Sequence, residues 1–141
     1  RSNGIEEYHN NFIVKGPGVV TGRSGTIGSV FYVTGDFWPH NTSLYVKDFK
    51  GNHKKYIYYL LTSLKFDRYH AGTSVPTLNR NDVHKIRVAI PIYQVQIEIV
   101  QILDRIDLLI SQKELKKNVL IKLKKSLMQN LLTGKIRMQV E

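Results

Sequence analysis

The 141 residues carry 21 Lys and Arg against 11 Asp and Glu, a formal net charge of +10 at pH 7. This length suits one domain with a modest core, and so basic a chain favours a polyanionic partner, most simply nucleic acid. The lack of cysteine excludes disulfides, thiolate metal sites and a cysteine nucleophile and fits a cytoplasmic protein; no signal-peptide pattern and no apolar run of the ~18 residues needed for a membrane span is visible.

In chain order, the polar residues 1–11 read as a loop. Phe12-Ile13-Val14-Lys15 is a short apolar run closed by Gly16-Pro17-Gly18, and Val19-Val20-Thr21 reads as a second short strand. After Gly22-Arg23-Ser24-Gly25-Thr26-Ile27-Gly28, the β-branched and aromatic run Ser29–Thr34 predicts a strand, as does Ser43–Lys47. The period changes at Asn52, a good N-cap residue. Tyr56, Ile57, Leu60, Leu61 and Leu64 then recur at helical spacing, which predicts a helix over 53–66. A donor-rich loop runs from Asp67 to Asn79, a short helical turn is expected over 80–84, and the loose alternation of Ile86, Val88 and Ile90 predicts a strand ended by Pro91.

From Pro91 to Gly134 there is no internal proline or glycine. Ile99, Leu103, Ile106 and Ile110 form an apolar stripe that resumes as Leu120, Leu123, Leu127 and Leu131, across a gap holding Lys113, Glu114, Lys116 and Lys117. Forty helical residues span roughly 60 Å. Such a helix is expected to project in part and to pair with another through a coiled-coil seam. The alternative is an ordinary amphipathic core helix, though those rarely exceed about 25 residues. The expected domains are therefore 1–91, a globular part; 92–134, the long helix; and 135–141, a tail. The basic excess is shared: twelve Lys and Arg against six Asp and Glu in 1–91, nine against five in 92–141.

Several chemistries are set aside. Gly22, Gly25 and Gly28 precede a strand, whereas phosphate loops must open a helix, so they read as a turn between strands. The five histidines have no metal-ligand spacing, no Gly-x-Ser-x-Gly elbow is present, and the carboxylates of the globular part do not pair. No catalytic and no metal-ligating residue is expected. Binding remains. Two loops, Gly22–Ser29 and Arg68–Arg80, combine basic residues, hydroxyls and amides. Arg and Asn can read base edges, while Lys, Ser and Thr hold phosphates.

An ordered set of segments carries a resemblance. Gly-Arg-Ser-Gly-Thr-Ile-Gly at 22–28 precedes a strand, and Tyr56-Ile57-Tyr58-Tyr59-Leu60-Leu61 lies on a helix. Ala71-Gly72-Thr73-Ser74-Val75-Pro76-Thr77-Leu78-Asn79 and Ile86-Arg87-Val88-Ala89-Ile90-Pro91 follow. Gln96, Ile102-Leu103-Asp104-Arg105-Ile106-Asp107 and Leu131-Leu132-Thr133-Gly134-Lys135-Ile136-Arg137 complete the set. Over residues 12–137 the chain resembles the specificity subunit of type I restriction–modification enzymes. Family members commonly carry Pro-Pro and Glu-Gln at the helix start; this chain has Pro91 alone, and Val95 before Gln96.

The resemblance implies an α/β (α+β) fold: a small mixed sheet with short helices, forming part of a target recognition domain, followed by a long coiled-coil-forming spacer helix. It implies sequence-specific reading of one half of a bipartite double-stranded DNA site. It also implies docking of methyltransferase (modification) subunits through the helix, assembly with a restriction subunit, and pairing with an equivalent helix. Catalysis would belong to the partners: S-adenosylmethionine, ATP and Mg are expected there and no cofactor in this chain. A full subunit carries two recognition domains, so the chain is expected to be the C-terminal piece of a longer subunit rather than a half-length one. The residues expected to contact DNA are Arg23, Ser24, Thr26, Arg68, His70, Thr73, Ser74, Asn79 and Arg80, with Arg23 and Asn79 as base readers. The expected helix–helix interface is Ile99, Leu103, Ile106, Ile110, Leu120, Leu123, Leu127 and Leu131. The competing reading is a coiled-coil assembly scaffold with negligible DNA affinity of its own.

Overall fold

The computed structural model describes Tyr8, residues 10–24, 27–69 and 77–137, and Gln139. Its elements are three strands, β1 (Gly18–Gly22), β2 (Val30–Val33) and β3 (Ser43–Tyr45), then α1 (Lys54–Ser63), a 3-10 turn (Phe66–Tyr69), α2 (Arg80–Lys85) and α3 (Tyr93–Leu132). This is the expected mixed α/β class. By its contacts the chain falls into two units, Arg1–Val100 and Gln101–Glu141.

The strands form an antiparallel sheet in the order β2-β1-β3. β1 is central, pairing Val19 with Tyr32 and Thr21 with Val30 on one side, and Val20 with Tyr45 on the other. All five of its residues are buried, as expected of a strand with a ladder on both edges and a helix on one face. The buried Thr21 hydroxyl donates to the Ser29 carbonyl at 2.9 Å. Because β1 and β2 are adjacent and antiparallel, residues 23–29 connect two strands, as the glycine pattern implies. α1 packs against β1 and β2, with the Tyr58 ring 5.8 Å from that of Tyr32. Val19, Phe66 and Leu78 are the largest fully buried side chains.

Four expectations need correction. The run Phe12–Lys15 forms a single bridge, Val14 to Phe37, instead of a strand. Residues 86–90 pair with no neighbour among the described residues; Val88 and Ile90 are about 40% exposed (39% and 43%). Alternation makes a segment extended, but a strand also needs a neighbour with donors and acceptors to offer. The cap of α1 is His53, not Asn52: its ring nitrogen Nδ1 accepts from the Tyr56 N–H at 3.4 Å. Asn52 is otherwise engaged, donating from Nδ2 to the Phe49 carbonyl at 2.9 Å and accepting at Oδ1 from Gln96 Nε2 at 2.8 Å. α1 also stops at Ser63 rather than running to 66, because Lys65 adopts a positive φ of 49°.

Gln96 ties the start of α3 to α1. Only 2% exposed, it accepts from the His53 N–H at 2.9 Å and donates to Asn52 Oδ1 and to the Pro91 carbonyl, both at 2.8 Å. Its acceptor and both amide hydrogens are thus used, the condition for burying a polar side chain at low cost.

α3 is 40 residues long and spans roughly 60 Å. It begins two residues after Pro91, whose missing N–H cannot sit inside a helix, and ends at Leu132, with the expected stop residue Gly134 just beyond. There φ is 71°, the Gly134 N–H donates to the Leu131 carbonyl at 3.2 Å, and the Ile136 N–H reaches the Asn130 carbonyl at 3.1 Å. Last-turn carbonyls are thereby satisfied. Among the described residues no helix is long and apolar enough to cross a membrane.

Candidate nucleic-acid interface

At Gly22 the chain leaves β1, and the next residues are pinned by their main chain. The Arg23 N–H donates to the Thr42 carbonyl at 2.8 Å, and the Ser24 N–H reaches the same oxygen at 3.4 Å. The Arg23 carbonyl then accepts from the Leu78 N–H at 2.8 Å. Ser24 and Thr77 form an isolated antiparallel bridge. Three segments far apart in sequence, at 23–24, 42 and 77–78, are thus joined by main-chain hydrogen bonds. Leu78, fully buried at 0% exposure, anchors the third segment from below.

Arg23, Asn79 and Arg80 stand exposed on this junction, with Ser24 half-buried between them. Asn79 caps α2: its Oδ1 accepts from the Asn81 N–H at 2.9 Å. That bond uses one of the two Oδ1 lone pairs and leaves the other, with the Nδ2 hydrogens, for a bidentate contact that accepts from adenine N6 and donates to N7. Arg80 opens α2. The carboxylate of Asp82, in the same turn, pairs with Lys85 Nζ at 3.0 Å, which offsets the negative charge it would turn toward a phosphate.

Of the nine residues expected to contact DNA, the structure gathers Arg23, Ser24, Asn79 and Arg80. Arg68 is exposed on the 3-10 turn, which the buried Phe66 anchors. Thr26, His70, Thr73 and Ser74 lie outside the described residues. Thr42 was not singled out from the sequence. It acts through its main-chain oxygen, and every residue type has that atom.

Among the described residues, the groups with shifted titrations are Asp48 and Lys50, away from this junction. The Lys50 ammonium, bonded to Asp48 at 2.8 Å, holds that carboxyl below its usual range, and the Lys50 N–H, also at 2.8 Å, adds to this. Asp48 in turn raises Lys50. Both are exposed, so the pair gives no sign of acid–base chemistry. Among the described residues no cluster of His, Asp and Glu is placed to hold a metal ion.

The expected interface residues lie on α3. Ile99 and Leu103 are half-buried; Ile106, Ile110, Leu120, Leu123, Leu127 and Leu131 are exposed. A helix with this many exposed apolar side chains fits a coiled coil whose other strand is a separate helix.

A mixed α/β unit with a basic, donor-rich junction and a long helix bearing exposed apolar side chains is the build of a binding module. The chain belongs to the family of type I restriction modification DNA specificity domains, whose family model matches residues 1–124. It is also similar to a protein of Haemophilus influenzae provisionally named type I restriction enzyme specificity subunit S.HindORF215P. The two are 28% identical over 115 residues, 79% of this chain and 30% of that protein. The chain thus spans under a third of the length of the curated relative it matches.

Proposed function

We propose that this chain reads one half of a bipartite DNA site for a type I restriction–modification complex, contacting the duplex through the junction of residues 22–24 and 77–80. The observation that carries the reading is this junction. Two loops selected from sequence for their donors are held together by the Arg23, Thr42 and Leu78 main chains, with Arg23 and Arg80 exposed on them. A rigid main chain beneath exposed arginines is what base reading needs: the scaffold sets register, and side chains supply the code. Residues 1–91 act as the recognition domain, 92–134 as the spacer and docking helix, and 135–141 as a tail. The chain contributes no catalysis and holds no cofactor. Methyl transfer and cleavage, with S-adenosylmethionine, ATP and Mg, belong to modification and restriction subunits, the former docked on α3.

The test selects preferred duplexes from a random pool and titrates them by fluorescence anisotropy over a salt series. Affinity should fall steeply with salt, by a slope of about 0.9 per phosphate contacted. Arg23→Ala and Arg80→Ala should each weaken the selected complex by about 1–3 kcal/mol where a bidentate base contact is lost. Wild-type affinity in both variants would remove the junction from the interface.

A second reading, an assembly scaffold with negligible DNA affinity, draws on the exposed apolar face of α3. Helix-mediated association with no salt-dependent DNA binding would favour it.

A further inference from the structure

A third loop stands at the junction, and its side chains have no part in the contacts proposed so far. Gly22 of β1 pairs with Ser43 of β3, so the turn at 40–43 lies at the same end of the sheet as Arg23 and Ser24. The turn is closely specified. The Ser43 N–H and the Ser43 hydroxyl both donate to the His40 carbonyl, at 3.0 and 2.7 Å. Its Thr42 carbonyl is the acceptor that takes the Arg23 and Ser24 N–H groups. The turn and the Arg23 segment are therefore one continuous piece of hydrogen-bonded backbone.

His40 is exposed on this turn, and its hydrogen bonds fix what it offers. The Thr42 N–H reaches its Nδ1 at 3.4 Å, and the Thr42 hydroxyl lies 3.1 Å from the same nitrogen. A peptide N–H can only donate, so Nδ1 accepts and the ring proton sits on Nε2. Nε2 is across the ring from Nδ1, so its N–H points away from the Thr42 main chain. His40 thus presents a single donor. One donor cannot separate guanine, adenine and thymine, all of which show acceptors in the major groove. It does match a phosphate oxygen, whatever the sequence. No carboxylate stands at 22–29, 37–43 or 77–81 to compete for it or to repel a phosphate. The spacing also suits the duplex. Two residues, at most about 7 Å of chain, separate His40 from the Thr42 anchor of Arg23, while a major groove is about 12 Å wide. An arginine in the groove leaves the histidine at the groove wall, where the phosphates lie.

We infer that the His40 Nε2–H donates to a DNA phosphate and so sets the register in which Arg23 meets the bases. His40 is a positioning residue and reads no base itself. The inference rests on the DNA-contacting junction of the proposed function and adds the loop that aligns it.

His40→Asn isolates the donor. An Asn side-chain oxygen accepts from the N–H two residues on, so the variant keeps the turn bond and loses the Nε2–H. Anisotropy titrations on the whole chain compare the selected duplex with an unrelated duplex of equal length. His40→Asn should weaken both by the same factor, about fivefold to tenfold, whereas Arg23→Ala should weaken the selected duplex more. Selected duplexes carrying one neutral methylphosphonate, moved along the backbone, then locate the contact. At one position the substitution should weaken wild type and leave His40→Asn no weaker than on unmodified DNA. Unchanged affinity in His40→Asn, or a loss confined to the selected duplex, overturns the inference. So does an equal loss with no such position, since His40 then acts through the fold alone. In each of these cases a weakened Arg23→Ala leaves the junction standing. If wild type shows no salt-dependent binding to any duplex, the proposed function fails and the inference with it.

Discussion

Replacing Gln96 by Leu roughly keeps the volume and removes all three side-chain hydrogen bonds of Gln96, two to residues at the start of α1 and one to the Pro91 carbonyl. The His53 N–H, Asn52 Oδ1 and the Pro91 carbonyl each lose a partner in a region where Gln96 is 2% exposed. At about 1 kcal/mol per bond, and after allowing for the gain from an apolar side chain, the expected loss is about 2–3 kcal/mol. Gln96→Glu tests the same geometry through pH. The new carboxylate still accepts from the His53 N–H, but it faces two acceptors, Asn52 Oδ1 and the Pro91 carbonyl. Burial and those acceptors both raise its pKa in the folded state above the unfolded value. The folded form then binds the proton more tightly, so stability relative to wild type is lowest at neutral pH and recovers as pH falls through the raised value. Urea denaturation followed by the fluorescence of Trp38, the one tryptophan, gives both quantities, with wild type measured at each pH. A Gln96→Leu variant within about 0.5 kcal/mol of wild type, or a Gln96→Glu variant with no pH-dependent recovery, would refute the argument.

Gly16→Ala should cost about 1–3 kcal/mol by denaturation, because the added Cβ would lie 2.1 Å from the Gly35 carbonyl oxygen. Gly35→Ala, where nothing lies within 4 Å, serves as its near-neutral control. Leu78→Ala should lose about 2–5 kcal/mol and weaken DNA binding with it, since Leu78 holds Asn79 and Arg80 beside Arg23; unchanged binding in folded protein would separate anchor from site. NMR titration should place the Asp48 carboxyl below 3.8. Its small contribution to stability should persist above the unfolded pKa and fade as pH falls through the folded one, and Asp48→Asn should remove that dependence.

Period and composition made much of the fold legible. Val19-Val20 and Val30–Val33 are β-branched and aromatic and became β1 and β2. The uninterrupted run after Pro91 became a 40-residue helix ending at Leu132, two residues before Gly134. Ile86–Ile90 shows where this fails, since periodicity describes one chain and a ladder needs two. Asn52 and His53 show the same limit for caps. Both can cap, and the choice fell to Gln96, 44 residues beyond Asn52, which engages the Asn52 side chain.

The candidate site divides along the same line. Residue type alone selected Arg23, Ser24, Asn79 and Arg80, because base and phosphate recognition restricts which side chains serve. Their meeting was decided by the Thr42 carbonyl and by the Arg23 and Leu78 main chains, which carry no residue-specific signal. The apolar stripe of α3 and the lysines within it are likewise written in the sequence, as spacing along one continuous helix. Local period and side-chain chemistry could therefore be read before folding. The pairing of distant backbone groups could not, because a peptide N–H or C=O is the same at nearly every position and acquires its partner only in three dimensions.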